Sequence, residues 1–495
     1  MKSDVSLVEL PRFRASRSPD ADCLDDGTNS LTNRQFELAV DAAAQHLIKA
    51  GVGRGDVVAL MLPNRVEMIV ALFAAWQIGA AVSPINPALT TVEASYQLED
   101  SCSKLVVVDD NTADRVAAPG VLPFPIADLS GSVEDRPMTT SRPDLGDIAL
   151  LIYTSGTTGR PKGVIIDHSN IAAMCSSLIE AFDLTERDRS LLVLPLFHAN
   201  GLLVGTLSPL WAGGSVIIGP RFDPRQFWPL VEHARPTYFS AVPTMYSMLA
   251  NLPAEIAADT SCLRFAICGA APMPAGLIHQ FEARYAVSVA EGYGLSEGTV
   301  ASTLNPVLGL RKPGTVGRPL PGQTIAVVDQ DGQTLPDGAR GEVVISGPTI
   351  MRGYWNRPEE TAETLRGGVL HTGDVGYIDA DGYLVLVDRI KDMIIRGGEN
   401  IYPKEIETVL YSHHAVLEAA VIGRPDERLG EVVIAYVALK PECSVSTSEL
   451  LQHCTSSLAS YKVPTEILVE PALPKNSVGK LIKGPLRSRT HGTPT

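Results

Sequence analysis

Apolar positions recur along the first third of the chain with two alternating rhythms. Thr32-Asn-Arg-Gln35 has the form of a capping box, and Phe36, Ala39, Val40, Ala43 and Leu47 follow at helical spacing until Gly51. Val57 to Leu62 is a continuous apolar run that predicts a buried strand. Arg65 to Ile78 predicts a helix, and Leu105 to Val108 another strand. The stretch from Met68 to Ile85 is the most apolar of all. Gln77, Gly79 and Pro84 interrupt it, so it reads as a buried helix plus a strand and not as a membrane span. Such alternation predicts βαβ units and a mainly parallel sheet with helices on both faces.

The rhythm continues through 191–194, 216–219, 238–241, 265–269 and 287–290, with helical stretches between them. From Thr324 to Val387 it changes to short strands, such as Thr324–Val328 and Gly341–Ser346, joined by Gly and Asp. A further change follows Val387. Residues 406–411, 417–422 and 432–439 and a helix from Thr447 to Leu458 predict a small α/β unit, with 484–495 frayed at the end. The expected architecture is therefore α/β: a large N-terminal domain of parallel-rich sheets with a β-rich subdomain, and a small C-terminal α+β domain.

With 495 residues, two or more domains are expected, since one core stops growing well below that length. A formal charge of −15 argues against nucleic acid and against an anionic bilayer as partners. The seven cysteines are scattered, odd in number and without Cys-x-x-Cys spacing. They suit reduced thiols in a cytoplasmic protein better than a disulfide framework or a zinc site. Cys268 sits in an apolar strand and reads as core. The start, Met1-Lys-Ser-Asp-Val, has no secretory signal pattern.

Candidate chemistry concentrates in Tyr153-Thr-Ser-Gly-Thr-Thr-Gly-Arg-Pro-Lys-Gly-Val164, directly after an apolar strand. Gly156, Gly159 and Gly163 allow a sharply turned backbone whose N–H groups can approach an anion. Ser155, Thr157 and Thr158 add hydroxyl donors, and Lys162 adds a mobile charge suited to phosphate. The order differs from the common Gly-x-x-x-x-Gly-Lys-Ser/Thr loop, because the lysine precedes Gly163. Glu297, on a loop after an apolar strand, is a candidate ligand for a hard cation. Asp374, in His371-Thr-Gly-Asp374, can accept from both hydroxyls of a ribose.

The phosphate-loop word resembles the signature of the adenylate-forming superfamily: acyl-CoA synthetases, adenylation domains of nonribosomal peptide synthetases and beetle luciferases. Further matches follow in the family's order: Gly292-Tyr-Gly-Leu-Ser-Glu-Gly298, His371-Thr-Gly-Asp374, the run from Asp388 through Gly397-Gly-Glu-Asn400 to Pro403, and Pro474-Lys-Asn-Ser-Val-Gly-Lys480. The resemblance implies an ATP-dependent acyl-CoA ligase that needs Mg²⁺ and coenzyme A. It implies nucleotide contacts at Thr154, Ser155, Gly156, Thr157, Thr158, Gly159 and Lys162, and at the turn Gly269-Ala270-Ala271. Glu291, Gly292, Tyr293, Gly294 and Ser296, with Asp374, Arg389 and Lys480, would complete the nucleotide site. Glu297 would hold Mg²⁺, and Lys480, Glu297, Thr154 and His198 would be catalytic. It also implies a domain of residues 1–387, a hinge at 388–391 pivoting on Lys391, and a mobile lid of residues 392–495. The lid would bring Lys480 onto ATP, then rotate to present Gly397, Gly398 and Glu399 to coenzyme A.

The acid itself is expected from segments near 198–205, 238–246 and 293–304. Leu202, Leu203, Val204, Tyr238, Phe239, Met245, Val300 and Leu304 form an apolar set, and a fatty acid is the expected substrate. A short dicarboxylate, engaged by Asn200, Ser302 and Arg311, an aryl acid, or transfer to a carrier protein are the alternatives. A homodimer is left open.

Overall fold

A computed structural model of the chain describes residues 6–130, 143–154, 160–256, 258–440, 443–475 and 481–490. Thr32 accepts from Gln35 N–H while Gln35 reaches back, so the predicted capping box opens the helix Asn33–Lys49. The apolar stretch after Arg65 divides as expected into the helix Val66–Gln77 and the strand Ala81–Pro84. Both are buried, and Trp76 Nε1 donates to Ala149 O at 2.8 Å.

Two sheets carry the large domain. In the first, Leu122–Pro125, Ser103–Val108, Val57–Met61, Ala81–Pro84 and Ile148–Thr154 run parallel in that spatial order, and Lys162–Asp167 turns back antiparallel. In the second, Asp22–Asp25, Ser215–Ile218, Arg189–Leu192, Tyr238–Ala241, Phe265–Cys268 and Val289–Tyr293 are parallel neighbours. A single apolar core joins the sheets, from Val58, Leu60 and Leu150 in one to Leu192, Ile267 and Ala290 in the other. The run 324–387 is β-rich as predicted: Thr324–Val328, Gly341–Ser346, Leu370–Ile378 and Leu384–Arg389 form one antiparallel sheet.

That last strand runs on past residue 387. Arg389 stands opposite Asp374 in the ladder, so the large domain's sheet ends inside the segment expected as hinge. The C-terminal unit pairs Val416–Asp426 with Gly430–Leu439, with the helices Pro403–Tyr411 and Thr447–Ser457 against it and a core of its own. Residues 484–490, expected to fray, are the helix Gly484–Thr490. Leu486 is wholly buried there and Arg487 donates to Asp392 at 2.6 Å. No helix among the described residues is long and apolar enough to cross a membrane.

Candidate active site

The glycine–hydroxyl turn joins two antiparallel strands, with Thr154 opposite Lys162 in the register. Ser155, Gly156, Thr157, Thr158 and Gly159 lie outside the described residues. Behind the turn, an added Cβ on Gly163 would stand 3.2 Å from the Tyr153 ring and 3.3 Å from Trp355, so only glycine fits without displacement. Lys162 pairs with Glu360, and its ammonium lies 5.0 Å from the centre of the Tyr354 ring.

Tyr354 also donates its hydroxyl to Glu297 Oε1 at 2.8 Å. It therefore ties the candidate metal ligand to the phosphate-loop lysine, and no sequence motif marked it. Glu297 itself lies on a single turn, Ser296–Gly298, after the parallel strand Val289–Tyr293, and its carbonyl accepts from Met351 N–H at 2.8 Å. This is the carboxyl edge of the sheet, where ligands of open α/β folds bind. Two residues in unusual backbone conformations follow: Thr299 at φ 63° and Val300 at φ 123°. For a β-branched residue the second value is strained, and Thr299 helps to hold it by donating its hydroxyl to Thr349 O.

No group of three or more potential metal ligands exists among the described residues. Glu297, with one oxygen bonded to Tyr354, fits a cation that takes one protein carboxylate and completes its shell with phosphate oxygens and water. That is the habit of Mg²⁺ at nucleotide sites.

Asp374 joins two sheets. Its Oδ2 accepts from Tyr293 OH at 2.6 Å and its Oδ1 from Arg389 Nε at 3.0 Å. Both oxygens keep a second lone pair for an incoming hydroxyl. Burial and the facing carboxylate push the Tyr293 phenol well up, so it stays a donor. The turn before Asp374 is fixed by Glu342, another residue without a sequence signal. One of its oxygens meets His371 Nδ1 at 2.8 Å and Arg366 at 3.0 Å, and the other accepts from Gly373 N–H at 3.1 Å.

Alternation along Val289–Tyr293 sends Glu291 and Tyr293 to one face and Gly292 to the other. Glu291 is only 4 % exposed, and its Oε1 accepts from Met273 N–H at 3.0 Å, while Oε2 has no partner. Burial pushes its carboxyl up to about 7, against the nearby Lys404 ammonium. A cavity of about 300 Å³ opens beside it, lined also by Asn305, His279, Ile278 and Arg311. Ala270, in the turn after the neighbouring strand, holds φ 68° beside Ala271. On the opposite face, a Cβ on Gly269 would lie 3.7 Å from Asn200 Nδ2 and 3.9 Å from Gly292 O. A Cβ on Gly294 would collide with Val300 O, so that strand end also needs glycine.

His198 and Asn200 lead into a π-helix, Asn200–Leu207, in which Thr206 donates its hydroxyl to Gly201 O. The widened turn seats Gly201 and Gly205 close against Pro195 and Leu192. His198 Nε2 and Asn200 Oδ1 are buried without partners, and burial pulls the imidazole down to about 4. The ring is neutral at pH 7.

Most of the apolar residues expected to line an acyl pocket are core residues. Leu202, Leu203, Val204, Tyr238 and Phe239 are at most 2 % exposed and pack in the cores, where Tyr238 OH donates to Val204 O at 2.9 Å. Arg311 stands at the other end of the strand Val289–Tyr293, donating to Ser288 Oγ at 2.9 Å and facing Glu282 at 3.7 Å. Cys268 is buried with its thiol pushed well up by burial, which suits core and not a nucleophile.

In the C-terminal unit, Gly397 at φ 60° and Gly398 at φ 87° form the two-residue turn of a hairpin that pairs Arg396 with Glu399. The tip is exposed, and Gly397 N–H donates to Leu429 O at 2.7 Å within its own unit. Lys391 is exposed next to the end of the Leu384–Arg389 strand. Lys480 lies outside the described residues, between Lys475 and Leu481, which pair as an isolated bridge.

The chain is similar to known proteins along nearly its whole length. The AMP-binding enzyme family matches residues 12–355, and the AMP-binding enzyme C-terminal domain matches residues 405–480. A feruloyl-CoA synthase of Amycolatopsis sp is 40% identical over 98% of this chain and 99% of its own length. A long-chain-fatty-acid–CoA ligase of Mycobacterium tuberculosis is 36% identical over 98% and 96%. The crystal structure of ATP-bound MatB from Rhodopseudomonas palustris superposes with a TM-score of 0.91 at 32% identity, covering 98% of each chain.

Proposed function

Since the chain belongs to the AMP-binding enzyme family and is an AMP-forming acid–CoA ligase using ATP, Mg²⁺ and CoA, we propose that it activates an aryl acid of about hydroxycinnamate size. The carrying observation is the pair of buried, unpartnered polar atoms, His198 Nε2 and Asn200 Oδ1, with the Asn200 amide beside Gly269. An alkyl chain would leave both unpaired, at about 1–3 kcal/mol each. A phenol hydroxyl would pair with them, donating to Asn200 Oδ1 and exchanging a bond with His198 Nε2 in either ring tautomer. The similarity to a feruloyl-CoA synthase supports the same reading. Leu202 and Leu203 pack in the core, which weighs against a fatty acid, and Arg311 is tied to Ser288 and Glu282, which weighs against it as the partner of a second carboxylate.

In the first half-reaction a carboxylate oxygen of the acid attacks the α-phosphorus of ATP, and the bond to the departing pyrophosphate breaks. Positioning and fixed positive charge supply most of the assistance. Thr154, Lys162 and the turn 155–159 hold the phosphates, and Lys162 exchanges Glu360 for them. Asp374 takes the ribose hydroxyls, steadied by Tyr293 and Arg389. Glu291 Oε2 accepts from the adenine amine, beneath the Gly269–Ala271 turn and the Tyr293 ring. Gly292, Gly294 and Ser296 give the backbone and hydroxyl edge of that site. Glu297 would hold Mg²⁺, which would offset charge on the phosphates when bound. Lys480 brings its ammonium to the reacting carboxylate and phosphate. In the second half-reaction the lid turns about Lys391 and presents Gly397, Gly398 and Glu399 to the pantetheine arm. The thiol sulfur of CoA then attacks the acyl carbonyl, AMP leaves, and the thiol proton passes to solvent. Neutral His198 lies near the acid.

A pyrophosphate-release screen with ferulate, palmitate and oxalate tests the acid. Ferulate should give the highest kcat/KM. Faster turnover of palmitate or oxalate overturns the aryl assignment.

A further inference from the structure

The helix Pro403–Tyr411 follows the first hairpin of the C-terminal unit, and Lys404 in its first turn bonds to the large domain's last strand. Lys404 Nζ donates to Leu386 O at 2.7 Å, and Lys404 N–H donates to Asp388 Oδ2 at 2.8 Å. The ammonium also faces the carboxylates of Glu291, Asp388, Glu407 and Asp374. Two of these, Glu291 and Asp374, belong to the nucleotide site described above. Leu386 and Asp388 precede Lys391 in the chain and Lys404 follows it, so both bonds span the pivot. Rotation at Lys391 swings the helix away from the strand Leu384–Arg389 and must break them. In this lid position the Gly397–Gly398 tip is exposed to solvent, and its backbone bond at Gly397 goes to Leu429 of its own unit. The bonds of Lys404 therefore belong to a lid position other than the one that offers the tip to CoA.

We infer that Lys404 is a positioning residue for the adenylation step, a cationic latch that holds the lid against the nucleotide edge until acyl-AMP has formed. The inference rests on the two-position lid of the proposed function. Loss of the ammonium removes a charge-assisted bond on one side of the lid equilibrium only. It lowers the population of the adenylating position and leaves the thioester-forming position intact.

The test separates the half-reactions in the full-length enzyme. Pyrophosphate release from ATP and ferulate without CoA reports the first, and thioester formation from supplied feruloyl-adenylate and CoA reports the second. Lys404→Met should slow the first about tenfold, the cost of one charge-assisted hydrogen bond, and leave the second unchanged or faster. Lys404→Arg, which keeps a donor and a charge, should recover most of the lost rate. Equal loss in both half-reactions, loss in the second alone, or no loss in the first overturns the latch. Failure of the wild type to form adenylate from any acid in the screen would instead sink the parent reading, because the latch is read from the ratio of variant to wild type.

Discussion

Replacing Glu291 by Gln should change how the stability of the enzyme depends on pH. The buried carboxyl holds its proton up to about pH 7, against 4.5 for an ordinary glutamate, because burial penalises the charge more than Met273 N–H and Lys404 steady it. A group whose folded value lies above its unfolded one stabilises the fold in acid. The contribution is complete below pH 4.5 and is lost as pH rises to about 7. The interval between those values corresponds to a loss of about 3 kcal/mol. Glutamine has the same shape and cannot titrate, so the difference between variant and wild type isolates this one group. Melting temperatures measured in parallel at pH 5, 6, 7 and 8 should show the variant gaining on the wild type through pH 7 and no further gain above it. A gap that stays constant across the series would refute the assignment of a neutral, buried carboxyl. Combining the wild-type glutamate with Lys404→Met should carry the loss to higher pH, since the steadying ammonium is gone.

Lys480→Ala should abolish acyl-AMP formation and leave thioester synthesis from supplied acyl-AMP largely intact, and equal loss of both would remove its role. Tyr354→Phe deletes the hydroxyl that holds Glu297 Oε1, so kcat/KM for ATP should fall about tenfold with a higher Mg²⁺ requirement. An unchanged Mg²⁺ titration in that variant would detach Tyr354 from the metal site.

Local signals in the chain were reliable where local physics decides the structure. The Thr32–Gln35 capping box, the division after Gln77 and the strands Thr324–Val328 and Gly341–Ser346 all rest on neighbours in sequence, and all are present. The motif residues Tyr293, Asp374 and Arg389 also meet as a group. Glu342, Tyr354 and Lys404 were invisible because their partners lie far off in sequence: Tyr354 meets a carboxylate 57 residues away and Glu342 a histidine 29 residues away. The apolar wall failed for another reason. Hydrophobicity marks Leu202 and Tyr238 as buried, yet it does not distinguish packing against the chain from packing against a ligand. The π-helix left no trace either, since its extra residue per turn depends on the close seats of Gly201 and Gly205. The terminal helix was missed because Leu486 is its one buried apolar side chain, and its other tie, Arg487 to Asp392, spans 95 residues.

Asp374 shares its charge between Tyr293 and Arg389, which stands two positions ahead of the proposed pivot. A sugar hydroxyl taking the free lone pair of either oxygen would share the negative charge that now goes to Tyr293 and Arg389. Occupancy of the proposed nucleoside seat and freedom of the proposed joint would thereby stand in one thermodynamic balance. Discharge of AMP would tighten the joint again, so each turnover would reset the swing of the C-terminal unit without a separate signal.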